Sequence, residues 1–208
     1  KKIGVQIYSV RNELKEDFNG TLEKLSEIGF DYIESYGLST DGTLYGMPAN
    51  EYKDAVESYG MKLISSHSTY FTPEEAPVVI EAAKQAGLEY VIIPYLNDEL
   101  RNDYDAIASN LNEVGALFKE AGIGFGYHNH EFEFFAQEDG RIPLEILIEG
   151  TNPEYVDFQL DLYWVTKAEF DPMTVINKYP SRFAAFHVKD SNTDLDQTTV
   201  GTGIVDFK

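Results

Sequence analysis

The sequence GYHNHEFEF, residues 126–134, places two histidines, an asparagine and two glutamates within one short stretch. It is preceded by a helix ending, KEAG at 119–122, and its first two residues belong to a short apolar run at 123–127. A glycine just past the last helical position and a short apolar run indicate a helix followed by a buried strand. The polar side chains then lie at the carboxyl end of that strand, where parallel α/β barrels carry their metal-binding and catalytic groups.

The same alternation of strand and helix patterns extends through the whole chain. Helices that end at glycine separate short apolar runs, which is typical of parallel βα units. The sequence has neither GxGxxG after its first strand nor GxxxxGK[ST], and polar residues follow several different strands. We therefore predict a (β/α)8 TIM barrel of the α/β class instead of a doubly wound sheet. The predicted strands cover residues 3–8, 32–35, 62–66, 90–93, 123–127, 156–160 and 183–186, and the predicted helices cover residues 18–28, 48–59, 73–86, 103–121, 142–149 and 171–178.

The predicted strands are one fewer than a TIM barrel requires. We therefore expect an eighth βα unit to be missing from residues 1–208, which otherwise form a single domain. Residues 205–208 resemble the start of the helix after strand seven. The alternative is an open or domain-swapped barrel with unpaired edges. The chain begins with Lys1 directly before a strand, so we also expect that some N-terminal residues were removed.

Composition limits the partners of the chain. Its 208 residues include 36 acidic and 16 basic side chains, and the formal charge of -20 opposes binding to nucleic acids and anionic membranes. Cysteine is absent, which excludes disulfides and thiolate ligands. No apolar run approaches the roughly 18 residues that a membrane span needs. Homo-oligomerisation stays open, and so does localisation to the cytoplasm or, if a signal was removed, the periplasm.

The four histidines, His67, His128, His130 and His187, all fall at predicted carboxyl ends of strands. A single histidine there is more often a hydrogen-bonded structural residue, but four together indicate a shared site. Asp161 directly follows strand six, as His187 follows strand seven. With another carboxylate, this pair makes a mixed oxygen and nitrogen site for Mn²⁺, Mg²⁺, Co²⁺ or Zn²⁺. Taken alone, Asp161 is better explained as a helix cap or loop acid.

Further side chains near strand ends are candidates for contacts with a substrate. Lys189 follows strand seven and can hold a substrate oxyanion, with an exposed surface lysine as the alternative. Glu34, at the end of strand two, is a candidate for binding a sugar hydroxyl or a structural partner. Tyr8, Tyr95 and Trp164 are candidates for stacking on a sugar ring, although aromatic residues at strand ends are often plain packing.

Five motifs resemble those of the sugar phosphate isomerase/epimerase family, the xylose isomerase-like TIM barrels. The resemblance covers the whole chain. It rests on GVQIYSVR at 4–11, YHNHEFEF at 127–134, DLYW at 161–164, HVKD at 187–190 and VGTGIVDF at 200–207. Together these motifs are specific, and the middle three are persuasive by themselves.

The resemblance implies one divalent metal ion, most commonly Mn²⁺, with Mg²⁺, Co²⁺ and Zn²⁺ as alternatives. By motif, three of its ligands fall on Glu133, Asp161 and His187. The fourth ligand, an acid after strand eight, would lie beyond Lys208.

The resemblance also implies the chemistry. The metal ion binds a carbonyl and a neighbouring hydroxyl of a sugar, and a carboxylate removes the adjacent proton to give a metal-bound enediolate. By motif, Glu133 is one such catalytic acid or base, and His130 and Lys189 stabilise the developing negative charge. The residues expected to bind the substrate are Glu34, His67, Tyr95, Asn129 and Trp164.

We therefore predict a metal-dependent isomerase or epimerase that acts on a sugar or keto-sugar. An unphosphorylated substrate is preferred, because no basic cluster for a phosphate is evident. Three alternatives are a lyase or dehydratase that acts on a keto-sugar or inosose in the same site, a non-catalytic sugar-binding barrel, and a metal-dependent hydrolase. The hydrolase would usually need a second metal, for which the sequence offers no further ligand cluster. The endonuclease IV-like members of the family are disfavoured by the charge of -20.

Overall fold

A computed structural model describes residues 2–207 of the chain. Contacts between Cα atoms divide the chain into two compact units. The first contains the residues up to Ile93 together with Leu117–Phe125, and the second contains Pro94–Ala116 together with the residues from Gly126 onward. That residues 1–208 form a single domain, and that an eighth βα unit lies beyond residue 208, both stay predictions.

In the first unit, parallel strands alternate with helices. Its elements are β1 (Gly4–Gln6), α1 (Arg11–Glu16), α2 (Phe18–Ile28), β2 (Tyr32–Leu38), β3 (Thr43–Leu44), β4 (Met47–Pro48), α3 (Ala49–Ser58), β5 (Lys62–Ser68), α4 (Ala76–Gln85) and β6 (Tyr90–Ile93). β1, β2, β5 and β6 are parallel neighbours in that order, and the short β3 and β4 extend the edge of β2 as antiparallel strands. Parallel neighbours need a crossover connection, which α2, α3 and α4 supply.

The second unit continues the alternation. Its elements are α5 (Tyr104–Glu120) and β7 (Gly124–His128), each of which belongs partly to the first unit, then α6 (Pro143–Gly150), β8 (Asp157–Asp161), α7 (Leu162–Lys167), α8 (Pro172–Lys178), β9 (Phe183–His187), β10 (Asp190–Ser191) and β11 (Gln197–Thr198). β7, β8 and β9 are parallel, with His128 opposite Gln159 and Asp161 opposite His187. This register sets four polar side chains next to one another at the carboxyl ends of three adjacent strands.

The helices show why the sequence patterns were informative. The predicted helix at 18–28 has the same bounds in the structure, because Asp17 accepts the N–H of Gly20 at its start and Gly29, at φ 102°, ends it in the left-handed region. The other predicted helices are present with ends shifted by up to three residues. None of the helices in residues 2–207 is long and apolar enough to cross a membrane.

Several local features differ from the sequence-based expectation or refine it. α1 and α7 were not predicted, because six-residue helices are too short to show a clear apolar period. Residues 205–207 are not helical, so the helix start expected at 205–208 is wrong for these three residues, and Lys208 lies outside the described residues. Strand β7 ends at His128, and the chain then turns through a short 3₁₀ helix, Phe132–Phe134, that carries Glu133.

The strands of the second unit bury polar groups together with apolar ones. β7 and β8 are buried along almost their whole length, as expected for parallel strands covered on both faces. Phe125 and Phe158 are buried on these strands, but so are His128, Gln159 and Asp161. A buried polar group is stable only when it has hydrogen-bonding or charged partners. The positions of these three side chains are therefore constrained by their neighbours.

A buried carboxylate organises the chain after β9. Four backbone N–H groups within residues 191–205 donate to the two side-chain oxygens of Asp190 at 2.8 to 3.1 Å. A side chain at Gly203 would collide with this carboxylate and with the carbonyl of Ser191, so the close approach requires glycine. Since Asp190 directly follows Lys189, the same bonds fix the backbone from which Lys189 projects.

Candidate active site

Asp161 lies at the centre of the polar cluster, at the end of β8 and the start of α7. Its Oδ1 caps α7 by accepting the N–H groups of Tyr163 at 3.0 Å and Trp164 at 3.2 Å. Its Oδ2 faces the other way, 3.6 Å from His187 Nδ1 and 2.6 Å from Lys189 Nζ. The carboxylate is fully buried, so one oxygen serves the helix and the other faces the cluster.

The charge of Asp161 is maintained by its neighbours. Burial by itself raises the pKa of this carboxyl, but His187 and the ammonium of Lys189 outweigh burial and leave the pKa below its ordinary value. No side chain in residues 2–207 is aligned for a regular hydrogen bond to Oδ2, although Lys189 lies close to it. Asp161 is therefore a buried anion with one oxygen directed at cationic or electrophilic partners.

His128 and His187 flank this carboxylate. His128 Nε2 lies 3.8 Å from Asp161 Oδ2, and the centroids of the two imidazole rings are 4.8 Å apart. On its other side, His128 Nδ1 lies 3.1 Å from Gln159 Oε1. The arrangement follows from the register of β7, β8 and β9, which brings the three strand ends side by side.

His130 lies in an aromatic setting next to this group. Its ring stacks parallel to Phe132, contacts Trp164 at 4.9 Å between centroids and meets the edge of Tyr95 at 5.3 Å. Tyr95 is about half exposed, whereas His130 and Trp164 are partly buried. The aromatic faces and the imidazole together form a surface suited to the C–H face of a sugar ring.

Lys189 connects the carboxylate to the aromatic surface. Its ammonium contacts Asp161 and also lies 5.9 Å from the centroid of the Trp164 ring. The side chain keeps about a quarter of its surface exposed. The alternative of a free surface lysine is therefore wrong, because the ammonium is held against a buried carboxylate.

Glu133 is placed differently from the other predicted ligands. It is fully buried, its Oε1 accepts a short hydrogen bond from the Tyr127 hydroxyl, and its Oε2 accepts the backbone N–H of His130 at 2.8 Å. Burial raises the pKa of Glu133 to about 7, although both hydrogen bonds and the charge of Arg101 act in the opposite direction. The guanidinium of Arg101 lies 3.5 Å from the centroid of the Phe132 ring.

We expect Glu133→Gln to remove a pH dependence from the free energy of unfolding. Because folding raises the pKa of Glu133 from 4.5 to about 7, the folded chain binds this proton more tightly than the unfolded chain. Its contribution to stability is complete below about pH 4.5 and is lost as the pH rises to about 7. Over this window the wild type loses about 3 kcal/mol that the glutamine variant keeps.

Urea unfolding in metal-free buffer at about pH 5 and about pH 8 measures this difference, since the other titrating groups cancel between the two proteins. Glu138→Gln is the matched control, because Glu138 is an exposed glutamate on the same segment. This control should keep the wild-type pH dependence. A Glu133→Gln variant that also keeps it would contradict the assignment.

Glu34 and His67 come together in the first unit. His67 Nε2 lies 3.2 Å from Glu34 Oε1, and Ser65 donates its hydroxyl to Glu34 Oε2 at 2.7 Å. Gln6 approaches the other ring nitrogen of His67 at 3.4 Å. All four residues lie on the parallel strands β1, β2 and β5, so the group is a partly buried polar network on a rigid support.

Asn129 is bound into the backbone of the second unit. Its Oδ1 accepts the N–H of Asp161 at 2.9 Å, and its Nδ2 lies 3.4 Å from the carbonyl of His130. The side chain is almost fully buried. Through these contacts Asn129 connects the end of β7 to the end of β8. Its contact with substrate stays a prediction.

Sequence reasoning placed His128 in an expected shared site without giving it a specific role, and it did not single out Gln159 or Tyr127. A usable signal existed for Gln159, because alternate residues of a strand share a face and Gln159 is two positions before Asp161. The roles of Tyr127 and Arg101 depend on the turn at 132–134, which has no clear signature in the sequence.

The chain is similar to curated sugar-modifying enzymes. Inosose dehydratase from Bacillus velezensis is 24% identical over 149 residues, which cover 69% of this chain and 48% of that protein. Inosose dehydratase from Clostridium beijerinckii is 26% identical over 101 residues, which cover 49% of this chain and 32% of that protein. The chain thus spans about half or less of the length of the curated relatives it matches.

Solved structures provide a more complete match. A sugar phosphate isomerase/epimerase from Parabacteroides distasonis is 28% identical with a TM-score of 0.87, covering 100% of this chain and 79% of that chain. A second one from the same organism is 27% identical with a TM-score of 0.82, covering 100% of this chain and 83% of that chain. The sequence profile of the xylose isomerase-like TIM barrel family matches residues 22–208. The resemblance and the fold class predicted from the sequence are therefore confirmed, and the chain belongs to the xylose isomerase-like TIM barrel family.

Proposed function

We propose that this protein is an isomerase or epimerase of a sugar or keto-sugar. It removes a proton from the carbon next to the carbonyl and then returns a proton to the substrate. The observation that carries the proposal is the buried carboxylate of Asp161, with His187 and Lys189 against its Oδ2. Buried charges that are arranged around one point are typical of catalytic sites. The names of the Parabacteroides distasonis structures support the same class of reaction.

The substrate class is supported by the surface around His130. Trp164, Tyr95 and Phe132 offer aromatic faces to a ring with C–H groups, and His130 and Lys189 offer polar contacts to its oxygens. The formal charge of -20 opposes nucleic acids as partners. A small neutral sugar or keto-sugar fits this combination better than a polyanion does.

Two side chains are proposed to take part in the proton transfer. Lys189 donates to the oxygen on which negative charge develops, because its ammonium is already directed into the cluster and retains partial exposure. His130 exchanges the proton with the substrate carbon, since an imidazole can both accept and return a proton near neutral pH. Glu133 accepts the backbone N–H of His130 and thereby orients the segment that carries it.

The cluster fits a divalent metal ion. The fully buried Oδ2 of Asp161 lacks a regular hydrogen bond among the described residues, and His187 Nδ1 lies 3.6 Å away. Asp161 and His187 would hold the ion, and a carboxylate with an imidazole suits Mn²⁺, Mg²⁺, Co²⁺ or Zn²⁺. When bound, the ion supplies Lewis-acid polarisation of the substrate carbonyl. Glu133 as a third ligand and Mn²⁺ as the resident ion stay predictions.

Glu34 and His67 are proposed to bind substrate hydroxyls. The carboxylate and the imidazole are paired at 3.2 Å and supported by Ser65, so they are fixed in orientation. A preorganised pair of this kind can accept from one hydroxyl and donate to another with little loss of side-chain entropy.

A dehydratase is the second candidate, because the curated relatives at this level of similarity are inosose dehydratases. Both reactions begin with removal of a proton next to a carbonyl. They differ in the next step, because an isomerase or epimerase returns the proton and a dehydratase expels a neighbouring hydroxyl. The same side chains serve either outcome.

Proton exchange in D₂O tests the proposal. The full-length protein, supplied with Mn²⁺, is incubated with a panel of ketoses, 3-keto-sugars and inososes, and deuterium in the recovered sugar is measured by mass spectrometry and NMR. Deuterium at the carbon next to the carbonyl without loss of water supports the isomerase or epimerase, and loss of water supports the dehydratase. If no sugar of the panel exchanges or reacts, the proposal fails.

A further inference from the structure

The least expected feature of the cluster is His128, a buried imidazole to which the sequence motifs assign no task. We infer that His128 is a ligand of the divalent metal ion, through Nε2, in the place that the motifs give to Glu133. The ion is then held by His128, Asp161 and His187 within this chain. The inference rests on the proposed function in one respect: the ion bound by His128 is the ion proposed to polarise the substrate carbonyl.

The first step of the argument is the orientation of the His128 ring. Its Nδ1 lies 3.1 Å from Gln159 Oε1, and an amide oxygen can only accept. The proton of a neutral His128 is therefore on Nδ1, and Nε2 carries a lone pair. Metal-ligating histidines characteristically donate their second ring N–H to a fixed acceptor in this way.

The second step is the direction in which that lone pair points. Nε2 faces Asp161 Oδ2 at 3.8 Å, and His187 Nδ1 approaches the same oxygen at 3.6 Å. Two ligand atoms about 2.1 Å from one ion at a tetrahedral angle lie about 3.4 Å apart. The two separations from Oδ2 are only a few tenths of an ångström larger, so each imidazole can share a cation with Asp161.

The third step is the burial of these groups. Asp161 is fully buried and His128 is almost fully buried. A buried carboxylate needs a cation close by, because burial removes its charge from solvent. Lys189 relieves part of the charge, with its ammonium 2.6 Å from Oδ2. A divalent ion would relieve the rest, because it interacts with all three ligand atoms together.

The fourth step separates Glu133 from the ligands. One of its oxygens accepts the Tyr127 hydroxyl and the other accepts the N–H of His130. Its place on the turn at 132–134, and not on β7, follows from the end of that strand at His128. Glu133 is thus a positioning residue for the loop that carries His130, and its motif does not have to supply a ligand.

Metal affinity of variants of the full-length protein tests the inference without any substrate. Competition with a fluorescent chelator measures the dissociation constant for Mn²⁺ and for Co²⁺. We expect His128→Ala to weaken binding by at least about 100-fold, whereas Glu133→Gln stays within about threefold of the wild type. A His128→Ala variant with wild-type affinity, or a Glu133→Gln variant that loses the ion, overturns the inference.

Gln159→Leu keeps the test valid if His128→Ala does not fold. Leucine has a similar volume, leaves His128 in the chain and removes the acceptor of its Nδ1–H. Loss of such an acceptor typically lowers metal affinity by about 10- to 100-fold, and we expect a decrease in that range. Unchanged affinity in Gln159→Leu overturns the inference, as does a folded wild type that binds neither ion. If the ion is bound through His128 but no sugar exchanges its protons, the proposed function is wrong and the inference about His128 still holds.

Discussion

Asp161→Asn is expected to abolish high-affinity binding of a divalent metal ion while the protein stays folded. In the wild type, Oδ2 of Asp161 is the anionic atom that faces His187 and Lys189. Asparagine presents an uncharged amide there, so the attraction for the ion is lost. The decrease in affinity should exceed the roughly 10- to 100-fold that follows loss of an outer partner of a ligand.

The fold should tolerate this substitution for a specific reason. Oδ1 of Asp161 caps α7, and the amide oxygen of asparagine can accept the same N–H groups of Tyr163 and Trp164. Asparagine and aspartate stabilise a helix about equally at the N-cap position, so the change in capping free energy is small. Circular dichroism should therefore match that of the wild type.

Asp171→Asn is the matched control for this prediction. Asp171 caps α8 in the same manner, by accepting the N–H groups of Met173 and Thr174, but it is exposed and outside the cluster. The control should bind Mn²⁺ like the wild type in a chelator competition. Wild-type affinity in Asp161→Asn as well would refute the assignment of Asp161 as a ligand and with it the metal-dependent mechanism.

The double task of Asp161 shows why the sequence was only partly informative. Its position after an apolar run predicted the end of a strand, and the structure has β8 ending there. The helix that it caps was missed, because LYWVTK at 162–167 is one and a half turns of mixed polarity. The interpretation of Asp161 as a helix cap is confirmed for Oδ1, and its role as a metal ligand through Oδ2 stays a prediction.

The stretch at 126–134 was the best predictor of the fold and a weaker predictor of the site. The apolar run and the preceding glycine are local signals, and they located β7 to within one residue. The roles of Glu133 and His128 depend on where the chain turns after the strand and on what the neighbouring strand offers. Those are contacts with Tyr127 and Gln159, which no pattern within the stretch specifies.

Contacts between distant segments were the least predictable part of the site. Lys189 was placed near His187 by sequence, but its ion pair with Asp161 requires β8 and β9 to be neighbours with Asp161 opposite His187. The helices outside the site are predicted well by contrast, because caps such as Asp17 and Gly29 act within a few residues.

Lys189→Met is expected to reduce turnover by about 100-fold or more while metal affinity does not fall. The ammonium of Lys189 is a cation in contact with Asp161 that can stabilise negative charge on the substrate oxygen. Loss of one such donor usually lowers kcat by about 10²- to 10³-fold. Methionine preserves much of the volume against Trp164. The bound ion should be held at least as tightly, because a positive charge 2.6 Å from its carboxylate ligand has been removed.

Lys178→Met separates this effect from the loss of any lysine ion pair. Lys178 also lies 2.6 Å from a carboxylate, that of Glu145, but on the surface and outside the cluster, so its variant should keep wild-type turnover and metal affinity. Initial rates on the substrate identified by deuterium exchange, measured at saturating Mn²⁺, give kcat for each protein. Normal turnover in Lys189→Met would make the ammonium a structural counter-ion of Asp161. A parallel loss of metal and turnover would instead mean that Lys189 acts by holding Asp161 in place, because the buried carboxylate then depends on its partner for the geometry that the ion requires.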